Sequence, residues 1–246
     1  DWTKSFFKKW IFKVVYNLAD LTIVNSVVVK NKFKKFYNVK SVHIYNPLNK
    51  LKILSLSKKK IKNPFTNKGS LKIIMVGRLS IEKDHITFLD SLNIVSKKTK
   101  VEAIIMGNGD QKDNIKNMIK KYNLQKKVKM IGFKNNPYPY IKNSDILVLS
   151  SLHEGLPNVL IESAALKTFI VSSNCETGPK EILLNGKAGV LFKVGNYRQL
   201  ANKIIYYKNN KQLRQKMIQL GFKNIGRFDY IKNLNEYYNK IKYYLR

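Results

Sequence analysis

From residue 71 onward, short and largely apolar segments alternate with segments of helical period, and this alternation constrains the fold more than any other feature. Continuous apolar segments indicate strands that are buried on both faces. Such strands, separated by helices, are typical of a parallel sheet covered on both sides. The sequence therefore predicts an α/β fold with a Rossmann-like doubly wound parallel sheet. The predicted strands are Leu71–Val76, Val101–Met106, Val128–Ile131, Ile146–Leu149, Phe169–Val171 and Gly189–Phe192.

The rest of the chain suggests an organisation around this sheet. Short strands and helices before residue 48 indicate the C-terminal end of a preceding α/β domain. A stretch rich in Lys, Asn and Pro then lacks any sustained period, which is typical of a linker. The final helix carries an apolar stripe without an evident partner. The predicted segments are 1–47 (end of the preceding domain), 48–70 (linker), 71–226 (main domain) and 227–246 (final helix).

Residues 1–18 predict a helix whose aromatic residues are flanked by lysines. Trp2, Phe6 and Trp10 are spaced four apart. A basic helix with aromatic residues is typical of a membrane interface, and it is equally typical of a core helix with a lysine rim. Both interpretations stay open at this stage. Because the chain begins with Asp1, we expect a fragment whose N-terminal part is missing.

Lysine and arginine number 47 against 15 acidic residues, which gives a formal net charge of +32 over 246 residues. This excess favours an acidic partner such as nucleic acid, an anionic membrane or a phosphorylated substrate, although a compositional bias toward lysine explains it too. Cys175 is the single cysteine, so no intramolecular disulfide can form. We expect it to be a small buried hydrophobic residue. No apolar run approaches the roughly 20 residues that span a bilayer.

Two carboxylates flank the start of a predicted helix after the fourth strand. Glu154 lies in a Gly-Leu-Pro turn, and Glu162 follows eight residues later. Pro157 suits the first helical position, because its missing N–H would have no partner there. The free N–H groups of a helix N-terminus bind anions. The alternative is that both glutamates are ordinary surface residues.

Glycine-containing turns follow the other strands, where doubly wound folds bind their ligands. Gly77 would allow a ligand close to the backbone, and Arg78 and Lys83 are suited to a diphosphate. Gly107 belongs to a Gly-Asn-Gly turn, and Phe133 follows a third glycine turn beside Ile131. Neither the dinucleotide fingerprint nor the phosphate-loop motif is present.

These turns occur in the order Gly-Arg-Leu-Ser-x-Glu-Lys, Met-Gly-x-Gly, Ile-Gly-Phe, Glu-Gly-Leu-Pro-x5-Glu and Thr-Gly-Pro-x-Glu-Ile. The set closely resembles the nucleotide-binding domain of family 4 retaining glycosyltransferases. The resemblance covers about residues 70–205 and extends to Ala-Asp-Leu-Thr-Ile-Val-Asn-Ser and Ile-Tyr-Asn-Pro nearer the N-terminus. It implies the donor-binding half of a GT-B glycosyltransferase, with most of the acceptor-binding domain absent and a final helix that crosses back to that domain.

The resemblance also implies roles for the predicted residues. Arg78 and Lys83 would neutralise the donor diphosphate, and Glu154 would contact hydroxyls of the transferred sugar. Glu162 would bind the ribose hydroxyls, and the backbone around Ile131 and Phe133 would read the base, most often uracil. Backbone N–H groups of the helix entry would hold sugar hydroxyls and phosphate oxygens. The implied catalytic residues are Arg78, Lys83 and Glu154, and the implied donor-binding residues are Gly77, Gly107, Ile131, Phe133, Gly155, Leu156, Pro157, Asn158, Val159 and Glu162.

The resemblance implies transfer of a sugar from a nucleotide sugar, with a UDP-sugar as the expected donor, to a surface-glycan or lipid-linked acceptor, as in capsule or lipopolysaccharide synthesis. The resemblance implies no metal and no cofactor, so His85 and His153 are predicted to be structural or loop residues. We expect a cytoplasmic location, peripheral to an anionic membrane, no nucleic-acid partner, and no transfer by the fragment alone. The alternatives are a basic nucleic-acid-binding module and a sugar-nucleotide epimerase or hydrolase on the same fold.

Overall fold

A computed structural model describes the backbone of residues 6–245 and the side chains of residues 10–245. Its strands are β1 (Thr22–Val24), β2 (Ser41–His43), β3 (Leu71–Val76), β4 (Val101–Met106), β5 (Val128–Met130), β6 (Ile146–Leu149), β7 (Phe169–Ser173) and β8 (Val190–Phe192). Its α-helices are α1 (Phe6–Asn17), α2 (Val27–Lys32), α3 (Lys50–Leu56), α4 (His85–Lys98), α5 (Lys112–Lys121), α6 (Tyr138–Lys142), α7 (Asn158–Ala165), α8 (Pro179–Ile182), α9 (Tyr197–Asn209), α10 (Lys211–Asn224) and α11 (Tyr230–Tyr244).

The chain folds into two compact units. The larger unit comprises Lys50–Ile225, and the smaller unit combines the chain up to Asn49 with the chain from Gly226. The predicted linker, 48–70, thus lies mostly in the larger unit. Within the described residues, no helix is long and apolar enough to cross a membrane.

The larger unit is built on a six-stranded sheet in the order β5-β4-β3-β6-β7-β8, and every neighbouring pair is parallel. The predicted α/β fold with a doubly wound parallel sheet is therefore confirmed. The chain order reverses between β3 and β6, which is the switch point where such sheets bind ligands. Helices α4, α5 and α9 contribute to the core on one face of the sheet, and α7 packs on β6 and β7.

The strand positions follow from burial on both faces. Ile73 and Ile74 are adjacent in β3 and point to opposite faces, yet both are fully buried. The strand predicted to end at Val171 continues through Ser172 and Ser173, which are buried polar residues. Their hydroxyl groups are satisfied locally, since the Ser173 Oγ donates to the Ser151 carbonyl oxygen at 2.7 Å. A criterion based on apolar residues could not detect this extension.

The smaller unit contains a two-stranded parallel sheet, β1 and β2, with α1, α2 and α11. Helix α2 continues past Lys32 as a π-helical turn, Phe33–Tyr37. Phe12 and Tyr16 of α1 pack against the rings of Phe33 and Tyr37. This contact gives α1 a packed aromatic side, as the core interpretation predicted.

Other apolar residues of these terminal helices are exposed. Trp10 of α1 is 56% exposed, and Leu18, just after the end of this helix, is 79% exposed, whereas Trp2 lies outside the described residues. The apolar stripe predicted on the last helix has one packed member and several exposed ones. Tyr237 donates to the Ile44 carbonyl oxygen at 3.4 Å, but Leu234, Ile241 and Tyr244 are exposed. The packed line instead includes Asn233, which is buried and donates to a backbone carbonyl.

The segment predicted to be an irregular linker is more ordered than its composition indicated. It contains α3, which packs against α6 and α7 and buries Ile53. Its last residues are bound by Glu102, whose buried carboxylate accepts hydrogen bonds from Thr66, Asn67 and Ser70. Burial alone would raise the pKa of Glu102, yet these hydrogen bonds lower it below its ordinary value. A single acidic residue on β4 therefore fixes the chain just before β3.

Candidate functional site

Backbone hydrogen bonds join the loops that follow β3, β4 and β5. Gly77 N donates to the Met106 oxygen at 3.0 Å, and Gly107 N donates to the Gly132 oxygen at 3.1 Å. Gly107 has a φ of +147°, and a Cβ there would lie 1.8 Å from the Gly77 oxygen. The structure thus requires glycine at 107 for contact between two loops of the protein itself. This requirement is independent of the donor-binding role that the resemblance implied.

A cavity of about 360 Å³ opens at these strand ends. The exposed ring of Phe133 and the side chain of Arg78 lie on its rim, so an aromatic face and a cation are available together. Ile131 does not line the cavity, and its N–H donates to the Ile105 oxygen at 3.0 Å. The lining residues are Val76, Gly77, Arg78, Met106, Gly107, Asn108, Phe133, Lys134 and Pro137.

Lys83 and Glu154, which are far apart in the sequence, form an ion pair. The Lys83 Nζ lies 2.5 Å from the Glu154 Oε1, and the Ser151 hydroxyl donates to the same oxygen at 2.6 Å. The aliphatic part of Lys83 passes about 3.6 Å from the position that a Cβ on Gly77 would occupy. Gly77 therefore lies beneath the Lys83 side chain. The motif that suits Lys83 to a diphosphate contains no sign of this pairing.

Polar contacts hold the turn after β6 against the loop after β3. The Ser150 hydroxyl donates to the carbonyl oxygens of Lys83 and Asp84, at 3.1 and 2.8 Å. Leu152 N donates to the Glu82 oxygen at 2.8 Å. These bonds fix the backbone on both sides of the ion pair. Because the two loops are bound together, Lys83 and Glu154 lie within reach of each other.

The helix after β6 begins one residue later than predicted. Pro157 has a ψ of 103°, which is extended, so it is the N-cap residue and Asn158 is the first helical residue. Gly155 faces open space, whereas Leu156 and Pro157 are buried. The side chain of Leu156 therefore packs in the interior, and a ligand would meet this turn mainly through its backbone.

The loop after β7 closes over the same turn. Gly178 has a φ of +86°, and a Cβ there would lie 2.3 Å from the Gly155 oxygen. The Thr177 hydroxyl donates to the Glu154 carbonyl oxygen. The Thr-Gly-Pro motif thus supports the backbone of the Glu154 turn from the neighbouring strand end.

Glu162 lies in α7 in a different environment. Burial raises the pKa of its carboxyl group, and a hydrogen bond from Tyr138 partly opposes that rise. The Tyr138 hydroxyl lies 3.4 Å from the Glu162 Oε1. Burial and the nearby Glu162 charge raise the pKa of Tyr138 to about 12. Nothing in the sequence distinguished Tyr138 from the other 13 tyrosines, because its only signal is its position across a helix contact.

The remaining polar candidates lie apart from these contacts. His85 is buried, neither ring nitrogen has a hydrogen-bond partner among the described residues, and burial with the nearby Lys83 lowers its pKa to about 4. His153 is exposed beside Glu154. Cys175 is buried, as predicted, and burial raises the pKa of its thiol. In the described part of the chain, no group of three or more His, Cys, Asp or Glu residues has a metal-binding arrangement.

A family model described as glycosyl transferases group 1 matches residues 57–224. The chain belongs to this family. This group 1 chain is 35% identical over 179 residues to an uncharacterized glycosyltransferase of Methanocaldococcus jannaschii, a match that covers 70% of this chain and 44% of the relative. It is 30% identical over 197 residues to N-acetylgalactosamine-N,N'-diacetylbacillosaminyl-diphospho-undecaprenol 4-alpha-N-acetylgalactosaminyltransferase of Campylobacter jejuni, covering 78% of this chain and 52% of the relative.

The group 1 chain spans about half the length of the curated relatives it matches. Among solved structures, it is similar to Anabaena HepE in complex with UDP and glucose, with a TM-score of 0.82 and 18% identity over 98% of this chain and 70% of HepE. Structural neighbours of this kind are GT-B glycosyltransferases, which confirms the predicted fold as one half of that architecture.

In this group 1 chain, the predicted site residues fall into four places. Gly77, Arg78, Gly107 and Phe133 surround the cavity. Glu154 and the turn from Gly155 to Val159 lie at the end of β6 and the start of α7, joined to the cavity rim through the Lys83 ion pair. Glu162 is approached from α6 by Tyr138. Ile131 is held in the sheet by its own hydrogen bond.

Proposed function

We propose that this chain is the donor-binding half of a retaining, metal-independent glycosyltransferase of family 4. The enzyme transfers a sugar from a UDP-sugar to a surface-glycan or lipid-linked acceptor. The observation that carries the proposal is the Lys83–Glu154 ion pair beside the Arg78 and Phe133 cavity, at the switch point of the sheet. Two similar proteins add support, since HepE was solved with UDP and glucose and the Campylobacter enzyme is named for a diphospho-undecaprenol acceptor.

Each residue has a chemical role in this proposal. Phe133 offers its ring to the base, and Glu162 accepts hydrogen bonds from the ribose hydroxyls. Arg78 and Lys83 stabilise the negative charge that grows on the leaving diphosphate, an interaction that is stronger in the transition state than in the ground state. Glu154 holds the Lys83 ammonium in place through its Oε1 and accepts from sugar hydroxyls.

The bond changes of the reaction balance without a further reactant. The bond between the anomeric carbon and the diphosphate oxygen breaks, and the acceptor oxygen bonds to the same face of that carbon. The acceptor proton passes to the leaving phosphate oxygen. Arg78 and Lys83 provide the positive charge near that oxygen, and backbone N–H groups at the start of α7 add further donors.

Calorimetric titration of this chain with UDP tests the donor half of the proposal. UDP should bind more tightly than ADP or GDP, and Lys83→Met should weaken UDP roughly tenfold because a charge-assisted contact to phosphate is lost. Lys116→Met, on the exposed surface of α5, is the matched control and should change nothing. Equal binding of the three nucleotides, or robust sugar transfer by this chain alone, would contradict the proposed division of labour.

A peripheral location at the cytoplasmic face of the membrane belongs to the same proposal. The net charge of +32, the exposed Trp10 of α1 and the exposed Leu18 just after it favour an anionic lipid surface. Sedimentation with phosphatidylglycerol vesicles, compared with phosphatidylcholine vesicles, measures this preference. Equal recovery with both lipids would remove the electrostatic argument.

A further inference from the structure

We propose that Tyr138 is a positioning residue that orients the Glu162 carboxylate toward the ribose hydroxyls of the donor. This inference rests on the proposed function and assigns a residue that neither the motifs nor the family resemblance indicated. The structural basis is a hydrogen bond between two helices, since the Tyr138 hydroxyl on α6 donates to the Glu162 Oε1 on α7 at 3.4 Å.

Hydrogen bonds of the preceding loop fix the backbone that carries Tyr138. Its N–H donates to the Asn136 Oδ1 at 3.3 Å, and the Asn136 amide nitrogen donates to the Leu56 oxygen at 3.0 Å. Pro137, the preceding residue, lines the cavity with Phe133. Helix α6 also packs directly against α7 and α3. Tyr138 therefore links the loop beside the cavity to the carboxylate assigned to the ribose.

The surroundings of Glu162 make this hydrogen bond consequential. Tyr138 is the hydrogen-bond partner that the described residues provide for its carboxylate. No charged group on the packed helices α3, α6, α8 or α10 shifts its pKa, so burial and Tyr138 are the two influences. A buried carboxylate needs donors to remain ionised. Tyr138 keeps its proton, because its pKa is raised to about 12.

The geometry also explains why the contact would act on the ribose in particular. The phenol approaches Oε1, and the carboxylate retains lone pairs on both oxygens for the two neighbouring ribose hydroxyls. A separation of 3.4 Å is longer than an ordinary O–H···O hydrogen bond, and contacts in enzyme sites commonly shorten when the substrate completes the site. Loss of the phenol should therefore matter most for ligands that carry both hydroxyls.

Tyr138→Phe and Tyr140→Phe form a matched pair for the test, because both residues lie on α6 and both substitutions remove one hydroxyl. Titration calorimetry with UDP and 2′-deoxy-UDP, which keeps only the 3′-hydroxyl, should show that Tyr138→Phe weakens UDP by roughly tenfold and 2′-deoxy-UDP by clearly less. Tyr140→Phe should leave both affinities unchanged. The loss of UDP affinity on acidification should begin at a higher pH in Tyr138→Phe, because Glu162 is then protonated more readily.

Three outcomes would overturn the inference. UDP affinity and its pH profile could be the same in Tyr138→Phe and Tyr140→Phe, or Tyr138→Phe could weaken UDP and 2′-deoxy-UDP equally. If Tyr138→Phe does not fold, Glu162→Gln provides the second measurement, and unchanged discrimination between the two nucleotides would sink the idea. Failure of the unmodified chain to bind UDP would instead refute the proposed function, so the two failures are distinguishable.

Discussion

Glu154 and Glu162 lie eight residues apart around one helix start, yet their environments are opposite. Glu154 faces a cation from another loop and a serine hydroxyl, with the Lys83 Nζ at 2.5 Å. Glu162 faces a neutral phenol across a helix contact and has a raised pKa. The difference teaches that neighbouring carboxylates in one motif can be held by different means. An ion pair between loops holds Glu154, and helix packing holds Glu162.

The largest expected effect comes from exchanging carboxylate for amide at each position in the full-length enzyme. Glu154→Gln should lower turnover by about 10² to 10³, since Lys83 is no longer held beside the leaving group. The dissociation constant of UDP should change by less than about threefold, because the released Lys83 still reaches the diphosphate. Glu162→Gln should instead weaken UDP by roughly tenfold. Steady-state kinetics and UDP titration measure both quantities, and equal effects at the two positions would erase the contrast.

His85, buried at the start of α4, gives a separate prediction for acid stability. The pKa of His85 is lowered from 6.5 to about 4. Between pH 6.5 and pH 4, His85 is therefore protonated in the unfolded chain but neutral in the folded chain. Its full contribution to the free energy of unfolding is present above about pH 6.5 and is lost as the pH falls toward 4. The loss attributable to His85 should be about 3 kcal/mol in the free energy of unfolding.

Urea unfolding at pH 7 and pH 4 checks this value. His85→Leu should be less sensitive to acid than the unmodified chain, since neither ring nitrogen has a hydrogen bond to lose within the described residues. If the two chains lose the same free energy on acidification, His85 is not the group responsible.

The smallest expected effect is at the serine that shares Glu154 with Lys83. Ser151→Ala removes the 2.6 Å hydrogen bond to the Glu154 Oε1 but leaves the ion pair. Turnover of the full-length enzyme should fall by about five- to tenfold, which corresponds to about 1 kcal/mol for one hydrogen bond. Ser163→Ala, which removes a hydroxyl bonded within α7, is the matched control. A loss as large as that of Glu154→Gln would show that the ion pair does not hold Glu154 by itself.

The sheet was predictable from the sequence because its strands are buried on both faces and therefore carry a continuous apolar signal. The ends of the strands were harder to predict, because a strand such as β7 continues through two buried serines. Helix α3 was not predicted, because it is short, lies in a lysine-rich segment and is stabilised by packing on α6 and α7. Tertiary contact decides such elements more than local propensity does.

Within the site, the motifs predicted the residues but not their partners. Spacing placed Glu154, Glu162, Arg78 and Lys83 at strand ends, and the structure brings Lys83 to Glu154 across two loops. Lys83 is one of 47 basic residues, and nothing in the sequence indicates that Glu154 is its partner. Tyr138 depends on how α6 packs against α7, a relation that no single-sequence pattern contains. The smaller unit was harder still, since its aromatic contacts join α1 to the π-helical turn.

The glycine contacts between the strand-end loops separate positions of the cavity rim that cannot be substituted from positions that can. Any side chain at 107 or 109 would collide with a carbonyl oxygen of the first loop, so those positions offer no freedom for redesign. Phe133 and Lys134 border the same cavity with exposed side chains. Nucleotide preference could therefore change, by evolution or by engineering, through substitutions at these two positions, because they leave the contacts between the loops intact.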